Sequence, residues 1–327
     1  MECDKGPHWA IRKPLSFLNI IEGIPHKLQP IIDEFSLKTT YLLSPEVLAN
    51  SECLKLFQSL QNQNELAAHM HGEFVEPLAN WNADRTDAFQ IDFSPLIEYQ
   101  KIHSLTELFE KKLGFRPTSF RAGRFGLSRY TLRFLDKLGY FVDSSVTPFT
   151  WWWRRKGKGV NFLGALYQPY FPSSNDFRKR GKMKILEVPI GIVNPFWAKW
   201  PSPILRRINP LNRIQTILLS TFLGKRIKSI WLRPTFSTVH QMIFVTHWII
   251  KSVRSRTPIL NMMFHSNEIM AGMSPYNQSE DEVKNFLKKL REYFTFLLSK
   301  FEVQSIALSE TVKIIGSSDF SVGPRVI

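Results

Sequence analysis

The chain has 327 residues, 43% of them hydrophobic, and 43 Lys and Arg against 28 Asp and Glu give it a formal charge of +15. Cys3 and Cys53 are too few for a disulfide framework, and the first twenty residues carry charges and proline where a secretory leader would need an apolar core. The longest apolar stretches, residues 214–223 and 239–250, are too short and too polar to span a bilayer, so a cytoplasmic protein is the default expectation.

Taken in chain order, residues 47–60 carry apolar side chains at three-to-four spacing and are predicted to be helical. Glu65-Leu66-Ala67-Ala68 reads as the end of a strand that runs into His69-Met70-His71-Gly72-Glu73. Two imidazoles and a carboxylate within five residues are the usual ligands of a borderline metal ion such as zinc. On a strand His69 and His71 share a face, whereas on a helix His69 would partner Glu73. Residues 105–113 read as a further helix, and Phe120-Arg121-Ala122-Gly123-Arg124-Phe125-Gly126 sets two arginines among small residues that let backbone approach a ligand. Gly139 to Ser145 reads as a strand delivering Asp143 and two hydroxyls, and Glu187 sits in another short apolar run. An apolar run over residues 259–264 then ends in His265 and Ser266. Residues 280–301 form the strongest helix pattern, with Ser279 before Glu280, Asp281 and Glu282 and with basic residues later. Residues 303–308 are expected as the last strand. Polar groups at several strand tips suggest one face of a parallel sheet or barrel used as a site.

Four segments carry a family resemblance: residues 65–71, residues 119–124, Val142-Asp143-Ser144-Ser145-Val146-Thr147-Pro148, and Met263-Phe264-His265-Ser266. In content and order they resemble the polysaccharide deacetylases of the NodB-homology type, in the branch associated with bacterial surface-polysaccharide clusters. The resemblance spans roughly residues 1 to 270 and implies an α/β fold, a distorted (β/α)7 barrel; alternating strand and helix signals without a Gly/Ser linker favour one domain over residues 1–310, with a tail at 311–327. The resemblance also implies metal-dependent removal of N-acetyl groups from amino sugars of a polysaccharide or lipid-linked glycan, with zinc as the expected ion. The metal would be held by His69, by His71 or Glu73, and by an N-terminal acid, Glu2 or Asp4. Family members begin with a strand ending in two acids. Here Met1-Glu2-Cys3-Asp4 stands where that strand finishes, so either Glu2 and Asp4 fill both roles or an upstream acid and the first strand are missing. By the same resemblance Asp4 or a missing upstream acid would be the general base, Arg121 would pair with that base, and His265 would be the general acid. Arg124, Phe125, Asp143, Glu187 and Ser266 would bind substrate, and the backbone N–H groups of Gly123 to Phe125 would complete an oxyanion hole.

The charge is unevenly spread. From Val188 to Asn267 there is no Asp or Glu, while eleven Lys or Arg occur, interleaved with Trp197, Trp200 and Trp231. Such a surface suits anionic lipid headgroups, an anionic glycan or single-stranded nucleic acid. Nucleic acid is disfavoured because no recognised binding motif accompanies the charge. The competing expectation to an enzyme is a catalytically inactive barrel that binds glycan or a membrane surface.

Overall fold

The computed structural model describes residues 1–153, 159–210, 212, 215, 217, 228–253 and 257–316. Its centre is a five-stranded sheet in the order β1 (Thr40–Leu43), β2 (Glu65–Met70), β3 (Ser119–Ala122), β4 (Val142–Asp143) and β7 (Leu186–Glu187). Every neighbouring pair is parallel, with His69 opposite Arg121 and Asp143 opposite Glu187. Strands buried on both faces require cover, and nearly every residue of β2, β3, β4 and β7 is buried. Helix Pro95–Leu113 supplies part of that cover, packed on β2 and on helix Thr131–Lys137. It starts where Ser94 accepts the Ile97 N–H and stops at Gly114, whose φ of 80° suits glycine.

A ring of seven hydrogen-bonded strands is not seen among the described residues. Beside β1 the chain start takes the neighbouring place: the Met1 ammonium donates to the Leu42 carbonyl and the Ser44 N–H donates to Met1. Beyond β7, residues 259–264 are not part of a ladder and are tied instead through the Gly191 N–H to the Asn261 carbonyl. The expected strand at 303–308 is likewise absent. There the chain turns into a 3-10 helix, Leu308–Glu310, because Glu310 takes the Ala307 N–H and Thr40 takes the Leu308 N–H. Two small antiparallel pairs, β5 (Trp151–Trp153) with β6 (Gly159–Asn161) and β8 (Ile192–Val193) with β9 (Ile230–Trp231), lie outside the main sheet.

The helix expected over 47–60 is two helices, Pro45–Ala49 and Ser51–Leu60. Asn50 is extended between them and its side chain accepts the Glu52 and Cys53 N–H groups, starting the second. The C-terminal helix, Glu280–Lys300, opens with a reciprocal cap between Ser279 and Glu282. The region expected as a tail contains a helix at Thr311–Gly316, and residues 317–327 lie outside the described part. Among the described residues no helix is long and apolar enough to cross a membrane.

Candidate metal centre

His69 is on β2 and His71 is the first residue past its end, so the two-residue repeat of the strand aims both rings to one side. Their centroids lie 4.7 Å apart at 85°. The register of β2 on β3 sets His69 opposite Arg121, and the Arg121 carbonyl lies 2.9 Å from His69 Nδ1. A proton on Nδ1, donated to that carbonyl, leaves the Nε2 lone pair facing inward. Inward stands Glu2. Its Oε1 is 3.3 Å from His69 Nε2 and 2.8 Å from His71 Nε2. All three side chains are buried, and their ligand atoms lie within 4.8 Å of one another.

Two imidazole nitrogens and one carboxylate oxygen converging on one point are a donor set that fits a zinc-type ion with an open coordination position. Burial drives the His69 imidazolium down to about 3, against the pull of Glu2, so this ring is neutral and able to act as a ligand. Burial alone would raise the Glu2 carboxyl, but His71, Lys5 and the two histidine hydrogen bonds together hold it well below the usual range. Lys5 is itself buried, 3.6 Å from Glu2 Oε2 and donating to Thr86 Oγ1 at 3.1 Å. Close packing fixes His71 as well: a Cβ on Gly123 would lie 2.4 Å from the Met70 carbonyl and 3.0 Å from His71 Nδ1.

Opposite this cluster is His265, with Nε2 4.0 Å from Glu2 Oε1. Its Nδ1 is 2.8 Å from Glu268 Oε1, and Glu268 also accepts from the His265 N–H, Arg233 and Thr235. Burial lowers the His265 pKa, with the Glu268 hydrogen bond opposing it. The Trp9 ring meets the imidazole edge-on at 5.0 Å. Both groups open on a cavity of about 440 Å³, walled by Arg121, Arg124, Phe125, Trp152, Arg233 and Tyr276 and continuing inward along Tyr41, Met262 and Phe294.

The expected site residues divide. Glu2, His69 and His71 come together, with His265 facing them, and Arg121, Arg124 and Phe125 line the same cavity. Asp4 does not join them: its carboxylate accepts from Ser16 Oγ at 2.6 Å, the Leu18 N–H at 2.9 Å and the Asn19 N–H at 3.0 Å. It secures the start of helix Leu18–Ile21 and is saturated there, which does not suit a base or a metal ligand. Arg121 consequently has no Asp4 to hold, and its guanidinium donates to the Ser144 carbonyl and hydroxyl at 2.7 and 2.8 Å. Glu73 is turned away by the short 3-10 helix Gly72–Phe74, and its Oε1 takes the Ala88 N–H. Asp143 and Glu187 are fully buried and do not line the cavity; Ser145 caps Asp143, and Glu187 takes the Val146 N–H at 3.0 Å. Ser266 is also buried and off the cavity wall. Missed from the sequence were Lys5, Trp9, Trp152, Arg233 and Glu268. Only Glu268 left a local signal, a carboxylate three residues after a histidine.

No family model and no curated protein matches the chain. Among solved structures, a Mycobacterium smegmatis protein assigned as a polysaccharide deacetylase superposes with a TM-score of 0.54 at 14% identity, over 94% of this chain and 81% of that one. A family 4 acetyl xylan esterase from Clostridium thermocellum gives 0.28 at 15% identity, over 37% of this chain and 51% of that one. The first likeness is one of fold. The chain shares the fold of that first protein, an α/β arrangement here built on a parallel five-stranded sheet.

Proposed function

We propose that this chain is a metal-dependent hydrolase that removes the N-acetyl group from amino-sugar residues of a polysaccharide or lipid-linked glycan. The reading includes a cytoplasmic location. The observation that carries it is the Glu2, His69 and His71 donor set with His265 across the same cavity. Glu2, His69 and His71 would hold the zinc ion, and the chemistry it would supply there is an acidified water and a polarised acetamide carbonyl. Glu268 accepts the Nδ1 proton of His265 and leaves Nε2 directed at the cluster, so His265 can pass a proton to the departing amine. With Asp4 committed elsewhere, His265 would also take the water's proton in this reading. Arg124 and Phe125, with Trp152 stacked on Phe125 at 5.7 Å, give the sugar a polar edge and an apolar wall.

One observation favours a second reading, glycan binding without catalysis: among the described residues no free second carboxylate faces the three-residue cluster. The test is amine release from N-acetylated chito-oligosaccharide by zinc-loaded protein, wild type against His265→Ala. Release that depends on His265 supports hydrolysis. Binding of the oligosaccharide with no release in either protein supports the second reading.

A further inference from the structure

A layer separate from the main sheet stands beside the cavity. Phe149, Leu163, Trp197 and Leu205 form its buried cluster, with Trp151, Phe196 and Ile208 packed on it. Asn161 ties β6 to this layer by donating to the Ile208 carbonyl at 2.9 Å, and Asn194 caps the Phe196 and Trp197 N–H groups. Alternation along β5 sends Trp152 to the cavity, stacked on Phe125, and Trp151 to the cluster. On the layer's surface two large apolar side chains, Trp200 and Ile204, are 47% and 45% exposed.

Cations surround them. Lys199 precedes Trp200, and a cleft of about 330 Å³ between residues 176–179 and helix Ser202–Leu205 is lined by Asp176, Arg178, Lys179, Pro203, Arg206 and Arg207. Asp176 is paired with Arg178 at 3.0 Å and also faces the charge of Lys179, so among the described lining residues four cations share one carboxylate. Part of the sequence-level patch, including Lys225 and Arg226, lies outside the described residues.

We propose that this face, Trp200 and Ile204 with the Lys179 and Arg207 cleft, docks on the surface of an anionic phospholipid bilayer. A tryptophan and an aliphatic side chain held outward suit the headgroup-to-acyl boundary, and a cleft with a net excess of cations suits lipid phosphate. Single-stranded nucleic acid would call for successive aromatic platforms along a groove, and Ile204 offers a base no stacking face. The proposal stands apart from the hydrolase reading, because Lys179, Trp200, Ile204 and Arg207 do not line the cavity that holds the Glu2 cluster.

The experiment is sedimentation of the full chain with vesicles of phosphatidylcholine alone or with about a third phosphatidylglycerol, the anionic fraction that supplies the surface charge. Binding is expected only to the anionic vesicles and is expected to fail near ~1 M salt, where the screening length is about 3 Å. Lys179→Gln with Arg207→Gln, and separately Trp200→Ser with Ile204→Ser, should each weaken partitioning by about tenfold or more. Both pairs are surface changes, so unaltered thermal unfolding and zinc content confirm that folding is intact. Undiminished binding by both double variants, equal binding to neutral vesicles, or binding of single-stranded DNA without vesicle preference would each overturn the proposal.

Discussion

Glu2 Oε1 lies 2.8 Å from Nε2 of His71, a contact between the chain start and the end of β2 that joins residues 69 apart in sequence. It makes the N-terminal acid part of the centre. Glu2→Gln keeps the side chain's size and removes its charge, so zinc affinity should fall at least tenfold, as it should for His71→Ala. Asp4→Asn should leave zinc affinity nearly unchanged and lower stability instead, since Asp4 anchors helix Leu18–Ile21. Elemental analysis and zinc titration of the three variants check this; equal zinc loss in Asp4→Asn would count against the geometry.

Gly123 packs against the backbone that delivers His71. Adding one methyl there meets the Met70 carbonyl at 2.4 Å, and a carbonyl cannot swing aside as a side-chain end can. Gly123→Ala should therefore shift the end of β2, cost about 1–3 kcal/mol in stability and lower zinc affinity. Denaturant midpoint and zinc titration read the two effects. A variant with wild-type midpoint and affinity would show that the strand end yields freely.

His265 and Glu268 should separate from the metal ligands in their effects. His265→Ala is expected to retain zinc while turnover drops by roughly two to four orders of magnitude. Glu268→Gln keeps a hydrogen-bonding group beside Nδ1 but removes the charge that faces Arg233, and should cost about 10–100-fold in turnover. Amine release and metal content, measured together, decide the matter. Loss of zinc in either variant would move the pair from proton transfer to metal binding.

What the sequence made legible follows the range of the interactions involved. His69 and His71 could be read because a strand's repeat is local, and helix Glu280–Lys300 because Ser279 and Glu282 cap it three residues apart. The choice between Glu2 and Asp4 could not be read. Both are acids two residues apart, and only the turn at Ser16 to Asn19 commits Asp4. Arg233 was invisible for the same reason: its partner Glu268 is 35 residues away in sequence, and no periodic pattern links the two, although Glu268 itself stands three residues after His265. Glu187 and Asp143 were misplaced because a strand tip looks alike whether it reaches the cavity or stops one layer below it. The tryptophan-rich region divided between buried Trp197 and exposed Trp200, a difference set by the layer they pack in.

A buried carboxyl away from the centre gives the chain a pH dependence of its own. Glu98, on helix Pro95–Leu113, is 1% exposed and accepts from Ser128 Oγ at 2.6 Å and from Thr131 Oγ1 at 2.5 Å. Burial raises its pKa from 4.5 to about 7, although the two hydroxyls pull it down. The folded chain thus holds this proton more tightly than the unfolded chain does. Its contribution to stability is fully present below pH 4.5 and is lost as pH rises through about 7. Glu98→Gln imitates the protonated acid at every pH and should remove that slope. The variant should match wild type near pH 4 and exceed it at pH 8 by up to about 3 kcal/mol. Urea unfolding at the two pH values measures the difference, and parallel pH profiles for the two proteins would rule Glu98 out as the titrating group.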